Sequence, residues 1–186
     1  MLENGRGRRA AFLDRDGTIL VDPAYLHQPE RVRFFPGAAE AVGRLNAAGY
    51  VVVSVSNQSG IARGMYGEAE YYAVMRRLND LLADHGARLD GSYFCPHHPT
   101  ISGPCECRKP GLKLFRDAQA AHGIDFTRSV FVGDRLSDVE PARHLGGTAF
   151  LVETGRGAEH VAQARVLGVP VVADLAAAVE QIVRAP

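Results

Sequence analysis

The sequence has no surplus of charge of either sign, no apolar run of membrane length and no cysteine framework. Its 21 Lys and Arg balance 21 Asp and Glu, so the formal net charge is zero. Without a basic surplus, no broad electrostatic contact with nucleic acid or anionic lipid is expected, and an anionic ligand must be held by a few local charges. No stretch approaches the ~18 apolar residues of a membrane span. Arg6, Arg8 and Arg9 precede only a short apolar run, Ala10 to Leu13, which Asp14 ends. That is too short for a secretory leader, so the cytoplasm is the expected compartment. The three cysteines, Cys95, Cys105 and Cys107, are odd in number and fall close together. This suits metal ligation better than a set of disulfides.

The 186 residues, 46% of them hydrophobic, suffice for one domain spanning residues 1–186 with an ordinary core. Strand and helix patterns alternate along it. Short apolar or β-branched runs at Arg9–Leu13, Tyr50–Val55, Gly91–Cys95, Ser129–Val132, Thr148–Val152 and Val169–Val172 read as strands. Helical periodicity marks Pro36–Ala48, Glu68–Asp84, Leu112–His122 and Leu175–Arg184. Ser137 and Glu140 have the spacing of a capping box opening a further helix that runs to Leu145. His85, His122 and His144 read as residues near helix ends. The alternation predicts an α/β fold, a doubly wound parallel sheet with helices on both faces. In such sheets ligands bind beyond the carboxyl ends of the strands.

Four polar motifs fall at those ends. Asp14-Arg15-Asp16-Gly17-Thr18 follows the first strand. Two carboxylates two residues apart can share one site, one ligating a metal or attacking an electrophile while the other moves protons. A solvated turn is the alternative, since Asp and Gly dominate turns. Ser56-Asn57-Gln58-Ser59-Gly60 follows the second buried run and offers donors for phosphate oxygens. Arg108-Lys109-Pro110 precedes a helix, and its two cations can neutralise a phosphoryl group. Gly133-Asp134-Arg135-Leu136-Ser137-Asp138 runs from a strand into a helix, where Asp134 can complete an oxygen set for Mg²⁺. Asp138 suits either such a site or simply the first helical turn. Lastly, Cys95, His97, Cys105 and Cys107 in the proline-rich segment 95–110 form a closed structural zinc set. His98 could replace His97, and a Cys105–Cys107 disulfide is the rival.

Taken in order, these motifs resemble the haloacid dehalogenase superfamily of aspartyl phosphotransferases. Phe12-Leu-Asp-Arg-Asp-Gly-Thr, Ser56-Asn-Gln-Ser-Gly-Ile-Ala-Arg-Gly, Cys95-Pro-His-His-Pro and Cys105-x-Cys-Arg-Lys-Pro are together similar to its heptose bisphosphate phosphatase branch, with histidinol-phosphate phosphatases as close relatives. The resemblance implies a fold without a large cap domain and an Mg²⁺-dependent phosphatase. It further implies Asp14 as nucleophile, Asp16 as general acid and base, and Ser56 and Lys109 steadying the phosphoryl group. Mg²⁺ would be held by Asp14, the Asp16 carbonyl and Asp134. Substrate contacts would come from Asp22, Tyr25, Ser56, Asn57, Gln58, Ser59, Arg108, Lys109 and Arg135. Zn²⁺ on Cys95, His97, Cys105 and Cys107 would fix the loop that presents Arg108 and Lys109. The expected partner is a small sugar phosphate, with no nucleic acid or membrane and a monomeric chain. A zinc-stabilised phosphate-binding module without turnover is the alternative of a different class.

Overall fold

The computed structural model describes residues 7–21 and 24–184. Arg6 and Asp22, both singled out in the sequence, lie outside the described residues. Six strands, β1 (Ala10–Leu13), β2 (Val51–Asn57), β3 (Gly91–Cys95), β4 (Val130–Gly133), β5 (Thr148–Val152) and β6 (Val171–Val172), form one sheet in the order β3-β2-β1-β4-β5-β6. Every pairing is parallel. Helices α1 (Ala38–Ala47), α2 (Glu68–Asp84), α3 (Pro99–Ser102), α4 (Lys113–His122), α5 (Leu136–Leu145), α6 (Val161–Val166) and α7 (Leu175–Arg184) connect or follow the strands.

The strands are apolar on both sides because both faces are covered. Ala11 and Leu13 of β1 join a core with Leu45 of α1, Leu78 and Leu82 of α2, and Val179 of α7. The alternate residues Ala10 and Phe12 join a second core with Phe115 of α4 and Ala142 of α5. There the Phe12 ring stacks on Phe131 at 4.8 Å between centroids and meets Phe115 edge-on at 5.3 Å. Truncating such a ring to alanine costs about 3–5 kcal/mol. This two-sided burial is why the sequence shows continuous apolar runs and no alternation.

The strand order reverses direction between β1 and β4, which are paired through Ala11 and Val130. The crevice at such a switch point is where an open parallel sheet binds ligands. Asp14 leaves β1 there, its N–H donating to the Val132 carbonyl at 2.9 Å, and Asp134 leaves β4 beside it.

Two local expectations are corrected. Helix α5 opens at Leu136, and the reciprocal cap is not Ser137–Glu140; the Asp138 carboxylate accepts the Arg135 N–H at 2.9 Å. The segment between Pro96 and Pro110 is not wholly irregular, since Pro99 starts the single turn of α3. The short α6 carried no periodic apolar stripe long enough to mark it, and only Ala164 of it is buried.

Candidate active site and metal clusters

At the switch point three carboxylates face one ammonium. The Lys109 Nζ donates to Asp14 Oδ1 at 2.6 Å and to the Val55 carbonyl at 2.5 Å, and pairs with Asp138 Oδ1 at 2.8 Å. All four of Asp14, Lys109, Asp134 and Asp138 are buried. Burial pushes the Asp14 carboxyl well above the usual carboxylate range; Lys109 opposes this while Asp138, Asp134 and Asp16 add to it. Burial likewise pushes Asp134 up to about 6, reinforced by Asp138 and opposed by the Arg156 N–H. Burial disfavours the Lys109 ammonium, yet Asp138 and Asp14 raise its pKa above the ordinary lysine value.

Like charges desolvated together raise each other's pKa, and a cation between them reverses the effect. Carboxylate oxygens of Asp14, Asp134 and Asp138 lie within 4.8 Å of one another. Asp134 Oδ2 accepts the Arg156 N–H at 2.8 Å, while Asp134 Oδ1 is buried without a hydrogen-bond partner. A hard divalent cation that prefers oxygen donors fits such a set, with the orphaned oxygen as one ligand.

The backbone is shaped around these carboxylates. Gly17 sits at φ 93°, and a Cβ built on it would fall 2.3 Å from Asp134 Oδ2. Gly155, at φ 59°, would place a Cβ at the same distance from the same oxygen. Any side chain at either position would fill the space beside Asp134. Thr154 ties the two loops together, its hydroxyl donating to the Gly17 carbonyl at 2.7 Å.

The cleft above holds about 490 Å³. Asp14, Asp16, Tyr25, Asn57, Gln58, Ser59, Arg108, Lys109 and Arg135 all line it, as anticipated; so do Arg63 and His98, which stood in the motifs without a role in the cleft, and Tyr66 and Arg156, which the sequence left unmarked. Asn57 has a second task. Its amide exchanges two hydrogen bonds with the Lys109 backbone, 3.0 and 3.2 Å long, clipping the lysine loop to the end of β2. Ser56 is buried beneath the cleft, its hydroxyl accepting from Gln58 Nε2 at 3.1 Å. Tyr25 and the preceding Ala24 both have positive φ, 56° and 68°. Non-glycine residues hold that conformation only where the surroundings impose it.

A second cluster stands at the end of β3. Cys95, His97, Cys105 and Cys107 bring their Sγ and Nδ1 atoms within 4.8 Å of one another. The Cys95–Cys105, Cys105–Cys107 and Cys95–Cys107 sulfur separations are 3.6, 3.5 and 2.9 Å, and His97 Nδ1 lies 3.2 Å from Cys107 Sγ. All three cysteines are free, so the rival Cys105–Cys107 bond is not formed. His98 turns away from the cluster, its Nε2 2.8 Å from Arg63 Nη2 and its Nδ1 2.9 Å from the Thr100 hydroxyl. Burial raises the Cys95 thiol far above its ordinary value. Cys105, against the pull of burial, is brought down to about 7 by the Arg108 N–H and by its sulfur and imidazole neighbours.

The model of the HAD-hydrolase-like family matches residues 106–178. The D-glycero-beta-D-manno-heptose-1,7-bisphosphate 7-phosphatase of Photorhabdus laumondii is 41% identical over 184 residues, 95% of this chain and 98% of that one. The enzyme of the same name from Rhodopseudomonas palustris is 45% identical over 78% of this chain and 84% of that one. The chain belongs to this family of haloacid dehalogenase-like phosphatases. A crystal structure of D,D-heptose 1,7-bisphosphate phosphatase from B. bronchiseptica, complexed with magnesium and phosphate, matches the fold with a TM-score of 0.87 at 35% identity, over 96% of this chain and 99% of that one. The family's haloacid dehalogenase-like parallel sheet is thus the fold found here. Arg15 and Arg63 stood in the motifs without a role, and Tyr66, Thr154, Gly155 and Arg156 went unmarked in the sequence. Nothing local distinguishes a buried arginine or a carboxylate-cradling glycine from a surface one.

Proposed function

We propose that this phosphatase hydrolyses the 7-phosphate of D-glycero-D-manno-heptose 1,7-bisphosphate in the cytoplasm, as a monomer of one domain, with Mg²⁺ at the carboxylate cluster and structural Zn²⁺ on Cys95, His97, Cys105 and Cys107. The observation that carries the reading is Asp14 itself. It is buried at the switch point, paired to Lys109 at 2.6 Å, and faces a cleft rimmed by Arg63, Arg108, Arg135 and Arg156. A carboxylate so placed is poised to attack phosphorus, and the arginines suit a substrate with more than one anionic group.

In the first step an Asp14 oxygen bonds to phosphorus. The P–O bond to the sugar breaks, and its electron pair stays on the sugar oxygen, which takes a proton from Asp16. In the second step Asp16 accepts a proton from water, whose oxygen attacks phosphorus and returns Asp14 as the carboxylate. Lys109 neutralises the transferring group and holds Asp14 in line. Ser56 steadies that group with Lys109, and Gln58 joins the substrate contacts. Tyr25, Asn57, Ser59, Arg108 and Arg135 contact the rest of the substrate, and Asp22 is assigned to the same task. Mg²⁺, held by Asp14, Asp134 and the Asp16 carbonyl, would neutralise phosphoryl charge that one lysine cannot.

Phosphate release from the heptose bisphosphate, histidinol phosphate and p-nitrophenyl phosphate, with Mg²⁺ or with EDTA, tests this reading. The expected result is Mg²⁺-dependent turnover with kcat/KM for the bisphosphate at least about tenfold above that for histidinol phosphate, the size of one charged contact. A reversed preference would assign the chain to histidinol phosphate. Binding of phosphate without turnover of any of the three would make it a binding module.

A further inference from the structure

Arg15 lies between the two aspartates of the first motif, and its guanidinium is fully buried. A buried guanidinium is costly unless its N–H groups find acceptors. Here Nε donates to Asp16 Oδ1 at 2.9 Å and Nη2 to Asp16 Oδ2 at 2.7 Å, a two-pronged grip on one carboxylate. Nη2 also faces Gln58 Oε1 at 3.2 Å and the Leu26 carbonyl at 3.5 Å, while Nη1 faces Met75 Sδ at 3.9 Å. The guanidinium carbon stands 5.5 Å from the centre of the Tyr71 ring.

A second arm reaches the same carboxylate. Gln58 Nε2 donates to Asp16 Oδ2 at 2.8 Å, and the Gln58 oxygen accepts the Tyr66 hydroxyl at 2.6 Å. The Tyr66 ring stacks on His27 at 5.5 Å and packs so closely on Gly60 that a Cβ there would fall 2.1 Å from a ring carbon. The amide that braces Asp16 is therefore itself braced. An ionised carboxylate offers about four lone-pair directions. Arg15 takes two and Gln58 a third, which leaves one direction on Oδ1. The Asp16 side chain stays 18% exposed at the cleft.

We propose that Arg15 is a positioning residue: it fixes the orientation of the Asp16 carboxyl so that Oδ1 carries the proton delivered to the departing oxygen, and it affects turnover only through Asp16. This rests on the general-acid role given to Asp16 above. An alkoxide leaving group needs that proton as the P–O bond breaks. A p-nitrophenolate leaves with the same electron pair and needs none. The ratio of kcat/KM for an alkyl phosphate to that for p-nitrophenyl phosphate therefore reads the positioning of Asp16, and mere loosening of the fold would lower both.

The test uses the full chain with Mg²⁺ and compares Arg15→Lys, which keeps the charge and loses the fork, with wild type. A positioned general acid contributes about 10²–10⁴-fold, and partial misplacement should forfeit on the order of 10- to 100-fold in kcat/KM for the bisphosphate. The loss on p-nitrophenyl phosphate should stay under about threefold, and in an Asp16→Ala background Arg15→Lys should add less than about threefold on either substrate, because the two residues act as one unit. If Arg15→Lys melts below the assay temperature, Arg15→Met, which removes the buried charge at similar length, carries the same comparison. Equal losses on both substrates, additive losses in the Asp16→Ala background, or full activity in the variants would each overturn the proposal. Should wild type reject the heptose bisphosphate, the substrate assignment fails separately, and the same ratio is measured on whichever alkyl phosphate it does turn over.

Discussion

Among the described residues, two clusters of side chains able to ligate a metal stand at the carboxyl ends of the strands, and they differ in almost every physical respect. The oxygen cluster of Asp14, Asp134 and Asp138 is buried, contains its own cation in Lys109, and leaves Asp134 Oδ1 without a partner. The sulfur cluster of Cys95, His97, Cys105 and Cys107 is buried only at Cys95. The first is assembled from three segments that meet only at the switch point of the sheet. The second comes from one short stretch that folds back on itself. A site that must change charge during a reaction needs ligands with other work to do, such as a nucleophile. A site that only holds a loop needs ligands with none. Arg108 joins the two regions. Its N–H lowers the Cys105 thiol, its Nη1 donates to the His97 carbonyl at 3.2 Å, and its side chain lines the cleft.

The sharpest way to separate the clusters is to disarm one residue of the first. Asp14→Asn keeps the shape and removes the attacking charge, so turnover should fall by at least about 10³-fold with the melting temperature little reduced. Phosphate release and a thermal melt on the same sample check both halves, after excluding deamidation back to Asp. The Arg108 bridge should give a smaller and substrate-dependent loss. Arg108→Ala should lower kcat/KM for the bisphosphate by about 10- to 100-fold, and for p-nitrophenyl phosphate by much less, since one charged contact is worth about 1.5–3 kcal/mol. Equal losses would put Arg108 on the transferring phosphate instead.

Breaking the sulfur cluster should act in the opposite sense, on structure first. Cys105→Ser should lower the melting temperature, remove about one bound zinc per chain, and reduce activity at least about tenfold by loosening the loop that presents Arg108 and Lys109. Elemental analysis and melting curves measure this, and an active, stable, zinc-free protein would refute it.

The smallest effect concerns protons at the oxygen cluster. In metal-free protein Asp134 is pushed up to about 6, so the fold favours its protonated form. That contribution is complete below the ordinary carboxylate pKa and is lost as pH rises through about 6. Between pH 5 and pH 7 the loss is on the order of 1 kcal/mol, a few degrees in melting temperature for a chain of this size. Magnesium should therefore raise the melting temperature more at pH 7 than at pH 5. A larger shift at pH 5 would place the cation elsewhere.

Much of this was legible along the chain. Continuous apolar runs announced strands covered on both faces, and β3, β5, α2 and α7 have the predicted bounds. The motif residues could be read because each follows directly on a strand, and the connectivity of a parallel sheet sends consecutive strand ends to one edge. The cap of α5 was misread because Ser137 and Glu140 have the right spacing while Asp138, one residue on, has the better reach to the Arg135 N–H. Short elements such as α3 and α6 left no periodic trace.

What the sequence determined by itself is whatever depends on neighbours in the chain. The order of strands and helices is local, as are the ligand spacing of the sulfur cluster and the placement of Asp14 and Asp16 at one strand end, because backbone periodicity and short loops set them. What only the tertiary structure decided is whatever depends on burial and on residues far apart in the chain. It made Arg15 a desolvated clamp on Asp16, turned Asp138 into a partner for Lys109, and brought Gly155 and Arg156 against Asp134. A charge has one energy in water and another out of it. Which of the two applies is settled by the side chains that close around it, and no local pattern names those.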